Sequence, residues 1–218
     1  MFHPDSKLQH GDPPVPEQQE EGVIISPDTR RANRIPPGQS RTRKWPVLDA
    51  GGTPPVNMEK WRLKLAGLVG REVSFTWEEF LALPRVKVFA DFHCVTRWSR
   101  LGNLWEGVPA RKLVELAGGV NRECRYVLAY GYDHVWTTNL PLEDFLSEDA
   151  LVAVTHDGDP IGDEHGGPAR LIVPRLYAWK SAKWLAGIEF LKEDRAGFWE
   201  RNGYHMRGDP WKEERFGY

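Results

Sequence analysis

Cysteine is scarce, with two in 218 residues. That excludes a disulfide scaffold and fits a reducing compartment. Long apolar runs are missing as well: no stretch approaches the ~18 consecutive apolar residues of a membrane span. Residues 1–21 are polar and Pro-rich, without the apolar region of a secretory signal, and Arg30-Arg31 is followed by Ala-Asn-Arg-Ile-Pro-Pro rather than an export segment. Neither sign of charge is in excess, since 29 Lys+Arg against 31 Asp+Glu leaves −2. A balance this even argues against a dedicated nucleic-acid binder. The expectation is a soluble cytoplasmic protein with no nucleic-acid and no membrane partner. Several motifs are also absent. Without a phosphate-binding Walker loop or a Gly-x-Gly-x-x-Gly turn, ATP and NAD chemistry are disfavoured. Without Gly-x-Ser-x-Gly, Cys-x-x-Cys or His-x-x-x-His, serine hydrolases, zinc ribbons and thioredoxin chemistry fall away.

Proline and tryptophan divide the chain. The first 55 residues hold ten of the 17 prolines and only one of the ten tryptophans. Residues 1–22 cannot bury enough apolar surface to offset ordering entropy and are expected to be a disordered tail. Residues 23–55 are expected to be an extended arm anchored by Ile24-Ile25 and Trp45-Pro46-Val47-Leu48. The arm reads either as a linker or as a wrap that closes a ligand site. Residues 56–218 form the domain.

Within that domain, 61–65 alternates apolar and polar side chains, the pattern of a half-buried strand. Thr76-Trp77-Glu78-Glu79 is a capping box that opens a short helix ending near Leu83, before Pro84. Residues 86–92 read as a strand. Pro109 starts a helix over 110–117 that Gly118-Gly119 terminates. Residues 124–130, 135–139, 151–155, 169–173 and 184–191 are β-rich, and 141–146 is a short helix. This order lacks the regular alternation of a doubly wound sheet. The fold class expected is α+β, with mixed β-sheets and short helices.

Three segments carry chemistry. Asp91-Phe92-His93-Cys94-Val95-Thr96-Arg97-Trp98-Ser99 puts a thiol, an imidazole and a guanidinium at a strand end. Neighbouring cations lower a thiol pKa, and a thiolate is a soft ligand for a transition metal. A buried inert cysteine is the plainer alternative. Asp163-Glu164-His165-Gly166-Gly167-Pro168-Ala169-Arg170 places Arg170 in an apolar strand, where it needs an anionic ligand or an internal carboxylate. Trp179-Lys180-Ser181-Ala182-Lys183-Trp184 suits a phosphate, or is a solvated lysine pair beside core tryptophans. Cys124 sits in an apolar run and reads as a small core hydrophobe.

Together with Trp105-Glu106-Gly107-Val108, these segments resemble the molybdenum-cofactor domain of the sulfite oxidase family. The resemblance spans about residues 45–192 and is closest to the short, stand-alone bacterial sulfite oxidase-like oxidoreductases. The tail around Gly197-Phe198-Trp199-Glu200 and Gly203-Tyr204-His205 also looks like that subgroup. The resemblance implies a molybdenum-molybdopterin cofactor, with Cys94 as the protein's thiolate on the metal. It implies that His165 and Arg170 hold the pterin and its phosphate, and that Lys180, Ser181 and Lys183 bind the phosphate end. It places His93 against the pterin or the thiolate, Arg97 in a loop that could face an anionic substrate, and Asp49, Ala50 and Gly51 over the cofactor.

The implied reaction moves an oxygen atom between molybdenum and a small substrate, either a sulfite-like anion or an S- or N-oxide. Electrons would pass through a separate partner, because no haem or flavin site is evident. The animal sulfite oxidases' haem and immunoglobulin-like domains have no counterpart in this length, and part of their arginine cluster is unmatched. The competing readings are a catalytically inactive pterin- or anion-binding module, and a thiol-based redox enzyme using Cys94, with Cys124 as its partner.

Overall fold

The computed structural model describes residues 22–217. The tail expected at 1–22 lies outside the described residues except for Gly22. Among the described residues, no helix is long and apolar enough to cross a membrane.

Two mixed sheets organise the molecule. The first joins β1 (Val23–Ile25), β5 (Val86–His93), β6 (Trp98–Pro109), β9 (Leu151–His156) and β10 (Asp159–Pro160) in that order. In it β2 (Ser40–Arg41) also pairs with β6, and β11 (Arg170–Ile172) with β9. The second runs β4 (Val73–Thr76), β3 (Arg62–Gly67), β12 (Leu185–Leu191), β7 (Tyr126–Gly131) and β8 (Thr137–Pro141). Parallel pairs (β1 with β5, β2 with β6, β3 with β12) stand among antiparallel ones. The helices are short: α1 (Trp77–Leu81), α2 (Ala110–Leu116), α3 (Leu142–Phe145) and α4 (Phe198–Arg201). This is the α+β class implied by the order of elements.

Local chemistry explains most of these elements. In β3 the residues Leu63 and Leu65 are fully buried while Arg62 and Lys64 face out, as alternation requires. At α1, Thr76 Oγ1 accepts from Glu79 N (3.2 Å) and Glu79 Oε2 accepts from Thr76 N (2.8 Å), closing the capping box. The strand expected at 135–139 begins two residues later, because Asp133 Oδ1 accepts from Val135 N (3.0 Å) and holds those residues in a turn. Strand β6 had no clear sequence signal, as Gly102, Asn103 and Gly107 interrupt any alternation. Gly107 is there for close approach: a Cβ on it would lie 2.0 Å from the Val152 carbonyl oxygen, where the β6–β9 register shifts.

The arm is part of the first sheet. β1 extends it beside β5, and β2 lies along the start of β6. Arg34, buried at 4% exposure, forks onto Asp91 of β5 at 2.8 and 2.5 Å. The apolar core is divided in two. One cluster, around Trp61, Leu113, Val127 and Ile188, contains Cys124. The other, around Val88, Phe92, Trp105 and Ile172, contains Cys94.

Candidate functional site

Strand β5 ends in a tight turn that displays Cys94. Arg97 N donates to Cys94 O (3.0 Å), Cys94 N donates to Trp98 O (2.9 Å), and Arg97 takes the left-handed φ of 73° that reverses the chain into β6. Side chains alternate along β5, so Phe92 and Cys94 share one face and His93 takes the other. The Phe92 and Cys94 face opens into a cavity of about 290 Å³. That volume lies near the lower edge of the ~300–1,000 Å³ common for small-molecule sites.

Of the residues singled out from sequence, Cys94, His165, Arg170, Ser181, Lys183, Asp49 and Ala50 all line this one cavity. Cys94 is 7% exposed, and the Thr96 hydroxyl donates to its Sγ at 3.2 Å. Burial pushes the Cys94 thiol up, while Thr96 and the Arg170 guanidinium pull it back. Arg170 does not form the carboxylate pair that was its alternative. It donates to two carbonyls, His165 O (2.7 Å) and Ala178 O (3.4 Å), and its buried Nε has no partner. Its guanidinium lies over Phe92 (5.1 Å) and Trp45 (5.7 Å). Burial lowers its pKa to about 9, against the favourable Cys94 charge.

His165 closes a one-turn helix (Asp163–His165), and Gly166 at φ 100° ends that turn. The ring of His165 stacks on Trp45 of the arm, with centroids 3.8 Å apart and planes at 10°. Lys183 Nζ donates to Leu48 O of the arm and to Glu164 O, both at 2.8 Å. Burial, with Arg170 next, holds the Lys183 pKa down to about 8. Ser181 Oγ accepts from Val173 N at 3.0 Å, so its own hydroxyl proton is left to donate.

Four expectations are corrected. Lys180 does not reach the cavity. Its ammonium is fully buried and donates to Glu200 Oε1 (2.7 Å), Asn139 O (2.8 Å), Asn139 Oδ1 (3.0 Å) and Met206 O (2.7 Å), which leaves nothing for a phosphate. His93 faces away from Cys94, as alternation dictates. Its Nδ1 shares a hydrogen bond with Ser99 Oγ (2.8 Å), its ring lies 6.2 Å from Trp211, and burial holds its pKa down to about 4. The exposed Arg97 is turned outward to the arm, where a Cβ on Gly38 would lie 3.6 Å from its Nη1. Gly51 abuts Trp136 outside the cavity lining, while its neighbours Asp49 and Ala50 line it. The thiol-pair reading also loses its geometry, because Cys124 packs in the other core cluster and donates weakly to Tyr126 O at 3.5 Å.

Sequence reasoning assigned no role to Thr138, Trp136, Trp199 and Tyr204, which also line the cavity. Thr138 carries no local signal. Tryptophan density was the available clue for the others, since six of the ten line this cavity. Trp199 stacks on Tyr204 (5.1 Å, 22°) and on Trp136 (5.8 Å, 21°). Burial, with the Cys94 charge behind it, pushes the Tyr204 hydroxyl pKa up.

The donor set suits a pterin-bound soft metal. A buried sulfur stands beside a guanidinium with an unused N–H, an ammonium and a stack of aromatic planes. The thiol proton is displaced when a metal binds.

The family model described as the oxidoreductase molybdopterin binding domain matches residues 50–199. The protein described as uncharacterized oxidoreductase YuiH of Bacillus subtilis is 51% identical over 187 residues, covering 85% of this chain and 93% of that one. The protein-methionine-sulfoxide reductase catalytic subunit MsrP of Campylobacter jejuni is 26% identical, covering 66% of this chain and 53% of that one. Among solved structures, the sulfane dehydrogenase SoxCD from Paracoccus pantotrophus superposes with a TM-score of 0.59 at 26% identity, over 65% of this chain and 41% of that one. The chain therefore belongs to the molybdopterin-binding oxidoreductase family that includes the sulfite oxidases, and its cofactor is molybdenum-molybdopterin.

Proposed function

We propose that this chain moves an oxygen atom between molybdenum and a small neutral S- or N-oxide, with Cys94 as the protein's ligand to the metal. The observation that carries this is that Cys94 lines one cavity together with His165, Arg170, Ser181 and Lys183. When bound, the cofactor supplies two-electron redox chemistry coupled to oxygen-atom transfer. Arg170 and Lys183 offer positive charge to the phosphate, and Ser181 offers a hydroxyl donor. Trp45 and His165, stacked on each other at the cavity wall, would offer the pterin an aromatic surface.

The remaining wall favours a neutral substrate over a sulfite-like anion. Trp136, Trp199 and Tyr204 form a continuous aromatic surface, and Arg97, the cation expected to meet an anion, faces the arm instead. Tyr204 stays protonated at neutral pH and is a donor for a substrate oxygen. The kinship with a methionine-sulfoxide reductase agrees with an S-oxide. Electrons pass through a separate partner in this reading.

The test is molybdenum per chain by elemental mass spectrometry, on protein from a host with intact pterin synthesis, for wild type and Cys94→Ser. Near-stoichiometric metal is expected in the wild type. In Cys94→Ser we expect an altered metal spectrum and no oxide reduction, with the fold intact. Full activity in Cys94→Ser would refute the ligand assignment. Metal-free wild type lacking pterin fluorescence would return the chain to the binding-module reading.

A further inference from the structure

A second cavity, of about 270 Å³, shares no lining residue with the first. Three regions wall it: Ser26 to Arg31 of the arm, the stretch from Asp144 of α3 to Asp149, and the C-terminal Arg207 to Trp211. Arg175 and Leu176 complete it. Its walls are mostly charged, and most of those charges are already matched. Arg31 pairs with Asp28 at 2.5 Å. Arg207 forks onto both oxygens of Asp144 at 3.1 and 3.2 Å. Asp209 accepts from Trp211 N at 2.9 Å and caps the last turn.

One charge, Asp149, is left with an unmatched oxygen, and another, Arg175, is held only by a long ion pair to Asp144. Asp149 is 2% exposed and accepts from the Ser26 hydroxyl on Oδ2 (2.7 Å), but its buried Oδ1 has no partner. Arg175 comes no closer to Asp144 than 3.6 Å, beyond hydrogen-bond range, and its buried Nε has no partner. The buried Trp211 Nε1 is a further donor without an acceptor, and its ring carries the Arg31 guanidinium at 4.1 Å. Buried polar groups left unmatched are costly, so three around one cavity describe the ligand that would match them. It needs a cationic donor for Asp149 and an anionic acceptor for Arg175 and Trp211.

Simple ions fail this requirement. A lone anion would face the Asp149 carboxylate. A lone metal cation would face Arg175 and Arg207, and no group of His, Cys, Asp and Glu that could hold one exists among the described residues. We propose that this cavity binds a zwitterion of the free α-amino-acid class. Its ammonium sits on Asp149, and its carboxylate sits on Arg175 with the Trp211 indole N–H. The site is independent of the cofactor cavity and of the oxygen-transfer reading.

The test uses the full chain, with thermal denaturation and titration calorimetry against the common α-amino acids, each alone. Any that bind are followed by their N-acetyl and carboxamide forms. At least one free amino acid should raise Tm and bind, and masking either charge should weaken binding about tenfold or more. Asp149→Asn keeps an acceptor for Ser26 and removes the unmatched charge. It should abolish the response while leaving the ligand-free protein at least as stable. If no free amino acid binds, or if Asp149→Asn binds as the wild type does, the proposal is overturned and water satisfies Oδ1. Should Asp149→Asn not fold, Arg175→Gln carries the test at a side chain 40% exposed. It must weaken binding by a similar factor, and unchanged binding overturns the proposal.

Discussion

Replacing Lys180 by methionine removes one ammonium from the middle of the molecule and leaves four acceptors without their donor. Both ends of the Lys180–Glu200 pair are fully buried, 2.7 Å apart. Glu200 Oε1 also accepts from Thr138 Oγ1 and Trp179 Nε1, each at 2.9 Å, so the stranded carboxylate would hold only two neutral donors. Breaking a buried pair in this way costs about 3–5 kcal/mol. For a domain of this size that corresponds to a Tm lower by about 6–20 °C. Cofactor-free protein is the right sample, since its stability does not depend on loading. Urea and thermal denaturation of wild type, Lys180→Met and Lys183→Met give the comparison. Lys183→Met should cost less, because its partners are two carbonyls near the surface, and its main effect should be lower cofactor occupancy. The double variant Lys180→Met/Glu200→Gln should recover part of the loss by removing the stranded charge. If cofactor-free Lys180→Met is as stable as wild type yet cannot retain cofactor, Lys180 is a phosphate ligand and the buried clamp is wrong.

Tyr204→Phe should lower kcat for oxide reduction about tenfold, the value of one hydrogen bond made in the transition state, with metal content unchanged; an unchanged kcat removes Tyr204 from the reaction. His156 packs against both Trp45 and Trp105 (centroids 4.2 and 4.3 Å), and burial lowers its pKa from 6.5 to about 4, outweighing the Asp157 charge. The unfolded chain therefore binds a proton that the folded chain refuses. This contribution is complete above pH 6.5 and is lost on acidification toward pH 4, at up to about 1.4 kcal/mol per pH unit. Chemical denaturation of His156→Gln across that window should show a slope shallower by one proton, and an identical slope would contradict the burial argument. Thr76→Ala should destabilise by about 1 kcal/mol through loss of the α1 cap, read as a lower urea midpoint at constant m.

Periodicity and capping rules made β3, α1, α2 and the fold class legible, because those elements are specified by neighbours in sequence. The strands β1 and β2 were hidden, being only three and two residues long and defined by pairing with β5 and β6 far along the chain. At the site, residue type and spacing located Cys94, His165, Arg170 and Lys183, but not which way each side chain points. Alternation along β5 alone separates Cys94 from His93. Lys180 and Lys183 look equivalent in the sequence. They differ because Glu200 and Asn139, distant in sequence, surround the first, while the arm's Leu48 carbonyl meets the second.

The arm has a consequence for maturation. Residues 45–50 leave the ribosome before β5, β6 and the His165 turn exist, yet Trp45 packs on Trp105, His156 and His165, and Leu48 O is met by Lys183. The earliest-made wall of the cofactor chamber therefore cannot close before the His165 turn and Lys183 have been made. Pairings this distant in sequence form slowly. A cofactor loaded before the arm docks would be sealed in by Trp45 and Leu48, so the order of loading and docking decides whether the chamber closes filled or empty.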